Sequence, residues 1–145
     1  MLSKITPVIL TYNEAPNICR TLDMLNWATD IVIVDSFSTD GTVDQVKKYP
    51  QVRLFQRVFD THANQWSYAI NETGVTTEWV LALDADYLLT GEFVEELDCM
   101  ELNSGTEAYK TNFHYCVWGE ALSRTLYPPV TTLYKREKAI YVQDG

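Results

Sequence analysis

The sequence predicts an α/β domain: a mostly parallel central sheet flanked by helices, followed by a β-rich C-terminal part. Three observations carry this. Short apolar runs at Lys4–Thr11, Ile31–Val34 and Val52–Phe55 are separated by stretches of helical period, the pattern of a parallel sheet with crossover helices. The run Trp79-Val80-Leu81-Ala82-Leu83 contains no alternating polar residue and stops at Asp84-Ala85-Asp86, as expected of a strand buried on both faces. From Glu107 the period becomes two: Tyr109, Thr111, Phe113, Tyr115 and Val117 alternate with Lys110, Asn112 and His114.

The elements follow in order. Pro7 weakens the first run as a central strand and marks its beginning or an irregularity. Pro16 suits the first turn of a helix, and Ile18, Leu22 and Leu25 then share one face, with an end near Trp27. Ile31 to Val34 is β-branched throughout and closes on Asp35. Asp40 or Thr42 is placed to cap a helix carrying Val43 and Val46, which Pro50 ends. The third strand starts at Val52 and can extend towards Phe59. Asp60 to Glu72 is helical, with Ala63, Trp66, Ala69 and Ile70 in register and Gly74 beyond its end. Thr90 caps a further helix with Glu92 in its first turn and Phe93, Leu97 and Met100 on its apolar face. Pro128-Pro129 breaks the chain, and Thr131–Tyr134 with Ala139–Val142 predicts a hairpin across Arg136-Glu137-Lys138. The last third is therefore expected to be antiparallel.

Composition narrows the function. At 145 residues the chain suits one domain over 1–145. A net charge of −9 makes it a poor partner for nucleic acid or an anionic membrane surface. No apolar stretch is long enough to span a bilayer, so any membrane association would be peripheral. Cys19, Cys99 and Cys116 are odd in number and widely spaced, which argues for a reducing, cytoplasmic compartment rather than a disulfide framework. His62 and His114 offer no zinc spacing with them.

Three predicted strand ends carry polar groups: Thr11-Tyr12-Asn13-Glu14, Asp35-Ser36 and Asp84-Ala85-Asp86. In a parallel sheet these ends share one edge, where ligands bind. Asp84 and Asp86 stand one residue apart, repel each other and lose hydration on burial. A divalent cation offsets both costs, and hard oxygen donors suit Mg²⁺ or Mn²⁺. The bland alternative is a polar turn after a buried strand.

Together, in this order and spacing, Leu10-Thr-Tyr-Asn-Glu14, Ile33-Val-Asp-Ser-Phe-Ser-Thr-Asp-Gly-Thr42 and Leu83-Asp-Ala-Asp86 resemble the GT-A fold of family 2 glycosyltransferases. The run from Leu10 through Asp40 looks closest to the WaaE-like enzymes that build lipopolysaccharide core. The resemblance implies sugar transfer from a nucleotide-diphosphate donor, with a UDP-sugar the leading candidate, to a saccharide or lipid-linked acceptor. It assigns Thr11, Tyr12 and Glu14 to the loop that holds base and ribose, and Asp35 to the base. It assigns Asp86 as ligand to Mn²⁺ or Mg²⁺, with Asp84 on the ribose or on the ion through water. Two positions depart from the family pattern: Ser36-Phe37 replace an acid and a glycine, and Trp66-Ser67 stand where many members carry Arg-Asn. Inverting members use a late carboxylate as base. Glu120, Glu137 and Asp144 are the late acids, and Asp144 lies nearest the family position. Members usually continue beyond the point matched by Gly145, so the domain is expected to lack part of its acceptor half, binding donor but transferring slowly. Trp118 suits an acceptor wall or the core, His62 an exposed helix start, Tyr127-Pro128-Pro129 a turn, and Lys135-Arg136 a solvated hairpin tip. Arg124 meeting a phosphate is a remote option.

Two rival readings remain. One is a nucleotide-binding chain without a complete acceptor half. The other is a haloacid-dehalogenase-type phosphatase, which also places Asp-x-Asp after a buried strand but follows it with Gly-Thr, whereas Tyr87-Leu88 stand here.

Overall fold

The computed structural model describes residues 1–101, 105–117, 119–122 and 128–142. In chain order the elements are β1 (Ile5–Thr11), α1 (Ile18–Asp23), β2 (Ile31–Asp35), α2 (Thr42–Val46), β3 (Val52–Gln56), α3 (His62–Asn71), β4 (Trp79–Asp84), α4 (Gly91–Cys99), β5 (Ala108–Thr111), β6 (Cys116–Val117), β7 (Glu120–Ala121) and β8 (Val130–Lys135). The main sheet runs in the order β3-β2-β1-β4-β8-β5. Its first four strands are parallel; β8 is antiparallel to both β4 and β5. A separate ribbon pairs β6 with β7. The predicted class holds, including the antiparallel last third.

Successive residues of a strand point to opposite faces, and here both faces are covered. Ile5 and Ile9, Ile31 and Ile33, and Trp79, Leu81 and Leu83 pack with Ile18 and Leu22 of α1, Val46 of α2 and Leu97 of α4. The alternate residues Val8, Val32, Val34 and Val80 pack with Ala69 and Ile70 of α3 and with Tyr134 of β8. Each buried Val, Leu or Ile side chain among them stabilises the fold by about 1.5–3 kcal/mol. The apolar runs are continuous for this reason. Among the described residues no helix is long and apolar enough to cross a membrane.

Four details differ from the sequence expectation. Pro7 lies inside the central strand β1. The β1–β2 ladder starts only at Val8, so at Pro7 the strand has β4 alone beside it, and a missing N–H costs little there. Helix α1 stops at Asp23 and gives way to turns before Trp27. The alternating stretch from 108 breaks after Thr111. Its partner is Val130, directly after Pro128-Pro129, and prolines cannot donate to a longer ladder. The predicted hairpin is absent: Ala139–Val142 is not a strand. Both edges of β8 are already taken, by β4 and β5, so 139–142 has no edge to join. Tyr141 instead stacks on Trp66 at 5.9 Å and meets Tyr134 edge-on at 6.2 Å.

Candidate active site

Leu10 is level with Val34 of β2 and Asp84 of β4, and Thr11 with Asp35, so three strand ends meet at one sheet edge. A cleft of about 350 Å³ opens there. Thr11, Tyr12 and Glu14 line it from β1, Ser36 from β2, and Asp84, Ala85 and Asp86 from β4; Phe59, His62 and Gln65 close the side next to β3 and α3. Five of the six predicted donor and metal residues thus share one cavity.

The sixth, Asp35, does not line it. Its side chain is fully buried. One carboxylate oxygen accepts from the Thr11 hydroxyl at 3.0 Å and the Ser38 hydroxyl at 2.5 Å; the other accepts from the Ser38 N–H at 2.9 Å and the Gln56 amide at 3.2 Å. The expectation that Asp35 reads the base meets here a carboxylate whose two oxygens accept four bonds from within the protein. The strand-end group that reaches the cleft is Ser36.

Asp35 organises a contact between two loops. The N–H groups of Asn13, Glu14 and Ala15 donate to Ser38 Oγ (2.8 Å), Thr42 Oγ1 (2.8 Å) and Asp40 Oδ2 (3.0 Å). Thr39 N–H returns a bond to Asn13 Oδ1 at 2.8 Å. Three consecutive amides of the β1 loop are therefore held by side chains of the β2 loop. Asn13 can sit at φ 54 because a short polar side chain tolerates the left-handed region. Asp40 also takes the Thr42 N–H at 3.1 Å, behind a cap position occupied by Gly41 at φ 95. The Thr42 hydroxyl, at 2.5 Å, holds the Asp40 carboxyl below its ordinary range.

The Asp84/Asp86 pair is built differently. Asp84 and Asp86 are exposed, while Ala85 between them is buried. Ala85 C=O accepts the buried hydroxyl of Thr21, on α1, at 2.7 Å. Tyr87 N–H donates to Asp84 C=O at 3.1 Å and closes the turn. Thr21 thereby fixes the peptide that separates the two carboxylates. Burial, and then the neighbouring Asp84 charge, push the Tyr87 phenol above its usual range. Thr21→Val keeps the shape and removes the donor, leaving a buried carbonyl unpaired. It should cost about 1–2 kcal/mol in urea unfolding; unchanged stability would show that the bond does not hold the turn.

Residues 6–98 match the family model described as Glycosyl transferase family 2. The chain belongs to that family. Among curated proteins it is similar to the SPbeta prophage-derived glycosyltransferase SunS of Bacillus subtilis strain 168, with 36% identity over 92 residues, 61% of this chain and 21% of SunS. It is also similar to the uncharacterized glycosyltransferase RP128 of Rickettsia prowazekii strain Madrid E, with 29% identity over 109 residues, 74% of this chain and 36% of that protein. The chain thus spans well under half the length of these relatives. Among solved structures, mannosyltransferase PcManGT from Pyrobaculum calidifontis, in complex with GDP-Man and Mn²⁺, has a TM-score of 0.63 and 27% identity, covering 72% of this chain and 34% of that one. S. aureus TarS in complex with UDP has a TM-score of 0.56 and 23% identity, covering 65% of this chain and 30% of that one, a likeness of fold. The fold is GT-A, and family membership sets the phosphatase reading aside.

The residues of this family 2 member fit a divalent ion. Two hard carboxylates stand exposed at a strand end, and an octahedral ion that keeps waters and substrate phosphates needs only one or two of them. Among the described residues no group of three or more His, Cys, Asp or Glu gathers as a closed metal cage. Asp144, Trp118, Arg124 and Tyr127 lie outside the described residues. Glu120 and Glu137 are exposed and do not line the cleft. His62, the first residue of α3, is exposed as expected; it meets the Phe59 ring edge-on at 5.1 Å and borders the cleft. Lys135-Arg136 closes β8 rather than a hairpin tip.

Sequence reading missed Gln65, Thr21 and Arg57. Gln65 is fully buried on α3, beside Ala69 and Ile70. Its Oε1 accepts from Arg57 Nη1 at 2.7 Å and its Nε2 donates to Ser36 Oγ at 3.1 Å. Arg57 is clamped in turn by Asp60, at 2.8 and 3.1 Å, and holds the Asp60 carboxyl well below the usual range. That depressed value keeps the clamp charged above the ordinary carboxylate range and releases it only as pH falls far below. The available signal was a polar residue in an apolar helical register, as at Thr21 between Ile18 and Leu22.

Proposed function

We propose that this family 2 member binds a nucleotide-diphosphate sugar in the cleft and moves the sugar to a saccharide or lipid-linked acceptor. The observation that carries the reading is the convergence of Tyr12, Glu14, Ser36, Asp84 and Asp86 on one cavity at the carboxyl edge of the sheet. The loop contact presents Tyr12, Thr11 and Glu14 to base and ribose, and Asp35 acts there by fixing the wall. Asp86, with Asp84, would hold Mn²⁺ or Mg²⁺, which when bound supplies Lewis-acid stabilisation of the charge on the departing diphosphate. Without it the two carboxylates repel the donor's phosphates. The acceptor hydroxyl needs a base opposite the leaving group, and Asp144 is the residue we assign, with inversion at the sugar carbon. The GDP-Man and Mn²⁺ bound to PcManGT and the UDP bound to TarS support this ligand class. The sequence likeness over Leu10–Asp40 supports a place in lipopolysaccharide core assembly, beginning with UDP-sugar donors. Cys19, Cys99 and Cys116 are unpaired, which fits the cytoplasm, with any membrane contact peripheral.

The test is titration calorimetry with UDP and GDP in Mn²⁺ and in EDTA. Binding in Mn²⁺ that EDTA abolishes is expected. Equal affinity in both buffers would sink the metal-assisted donor site.

A further inference from the structure

We infer that Gln65, acting through Ser36, sets which nucleobase the cleft accepts; the inference rests on the donor-site reading above. The sheet order decides where a base can lie. Phe59 follows β3, Ser36 follows β2, Tyr12 follows β1, and the acid pair stands at the end of β4 on the far side. Charged phosphates belong over the β4 end with the cation. The opposite end offers two exposed rings, Tyr12 at 61% and Phe59 at 46%, and flat rings stack on any base. Stacking does not discriminate, so discrimination falls to the polar groups at this end, and Ser36 stands at the end of β2, between the strands that carry the two rings.

The polarity of Ser36 is fixed from a distance. A guanidinium only donates, so the Gln65 atom 2.7 Å from Arg57 must be the amide oxygen. The Gln65 NH₂ then faces Ser36, and Ser36 Oγ must accept from it at 3.1 Å. Gln65 is fully buried, and turning its amide over would set NH₂ against the guanidinium. Asp60 keeps Arg57 from moving away, through paired bonds at 2.8 and 3.1 Å. With one lone pair taken by Gln65, Ser36 keeps its own proton, which no described residue accepts, and that proton is free to point into the cleft. The chain Asp60–Arg57–Gln65–Ser36 therefore leaves the Ser36 proton available to the ligand and favours a base that answers with an acceptor. An acid at position 36 would demand the reverse.

Uracil and cytosine carry opposite polarity at both position 3 and position 4 of the ring, so whichever of these faces Ser36, the pair reports on it. Gln65→Glu keeps a partner for Arg57 but cannot donate to Ser36. The Ser36 proton should then turn to the new carboxylate and leave a lone pair facing the cleft. Ser36→Ala removes the group at a half-exposed position and disturbs the fold least. Calorimetry in Mn²⁺ with UDP and CDP should give an affinity ratio that differs about tenfold between the natural chain and Gln65→Glu, with Ser36→Ala between them. Urea unfolding confirms that each variant is folded; if Gln65→Glu is not, a ratio shifted about threefold by Ser36→Ala supports the inference. Ratios unchanged in folded variants, or a Ser36→Ala ratio outside the interval, would overturn it while leaving the donor site intact. A natural chain that binds neither UDP nor CDP would overturn the inference, and the donor-site reading falls with it only if GDP in Mn²⁺ is not bound either.

Discussion

Asp86→Ala should weaken nucleoside diphosphate binding about 100-fold in Mn²⁺ and leave it unchanged or slightly tighter in EDTA. The reversal is the useful part. On the proposed function, Asp86 would draw the diphosphate in by holding the ion. Without it, Asp86 is one more negative charge beside the phosphates on a chain of net charge −9, and its removal relieves repulsion. No described hydrogen bond holds the Asp86 side chain and the residue is exposed, so the substitution should leave unfolding unchanged. Asp84→Ala should lose less, about tenfold, because it is assigned to the ribose or to the ion through water. The check is a metal-by-mutation cycle in calorimetry. An equal loss in Mn²⁺ and EDTA would make Asp86 a direct contact instead of an ion ligand, and a larger loss at Asp84 would exchange the two roles.

Asp35→Ala should destabilise the chain by about 3 kcal/mol, lowering the melting temperature by roughly 10 °C. Four donors converge on this buried carboxylate: the Thr11 and Ser38 hydroxyls, the Ser38 N–H and the Gln56 amide. Bonds to a charged acceptor are the strong ones, and removing it leaves donors without partners at a site closed to water. The damage should spread, since Ser38 Oγ also holds Asn13 and so the loop bearing Tyr12. Asp35→Asn should be milder, about 1–2 kcal/mol. Its one oxygen can face the Ser38 N–H, while the two hydroxyls rotate to accept from the new NH₂. Urea denaturation of the three proteins gives the order directly. A melting point for Asp35→Ala within a degree or two of the natural chain would return Asp35 to the role of base reader.

The strand runs, their carboxyl-end polar groups and the capped helix at Thr90 were legible because they depend on local period and composition. Val and Ile at 31–34 can scarcely do anything else, and Asp84 and Asp86 fall at the ligand-binding edge once the preceding run is a parallel strand. The turn-rich stretch 36–42 was legible as a loop but not as a loop clasping another: Ser38, Asp40 and Thr42 have the same composition whether they cap their own helix or bind residues 13–15.

By itself the sequence determined the α/β class, the shared edge of three strand ends and the polar residues that gather there. Tertiary structure alone decided three things. Asp35 turned inward and Ser36 outward, because the donors around Asp35 come from strands β1 and β3 and from its own loop. Residues 139–142 stayed unpaired, because β8 took both its neighbours from elsewhere in the chain. Ser36 acquired a buried amide donor, because Gln65, oriented by Arg57 eight positions before it, reaches Ser36 across 29 positions of sequence, and the partners of a hydroxyl are set by what surrounds it in space.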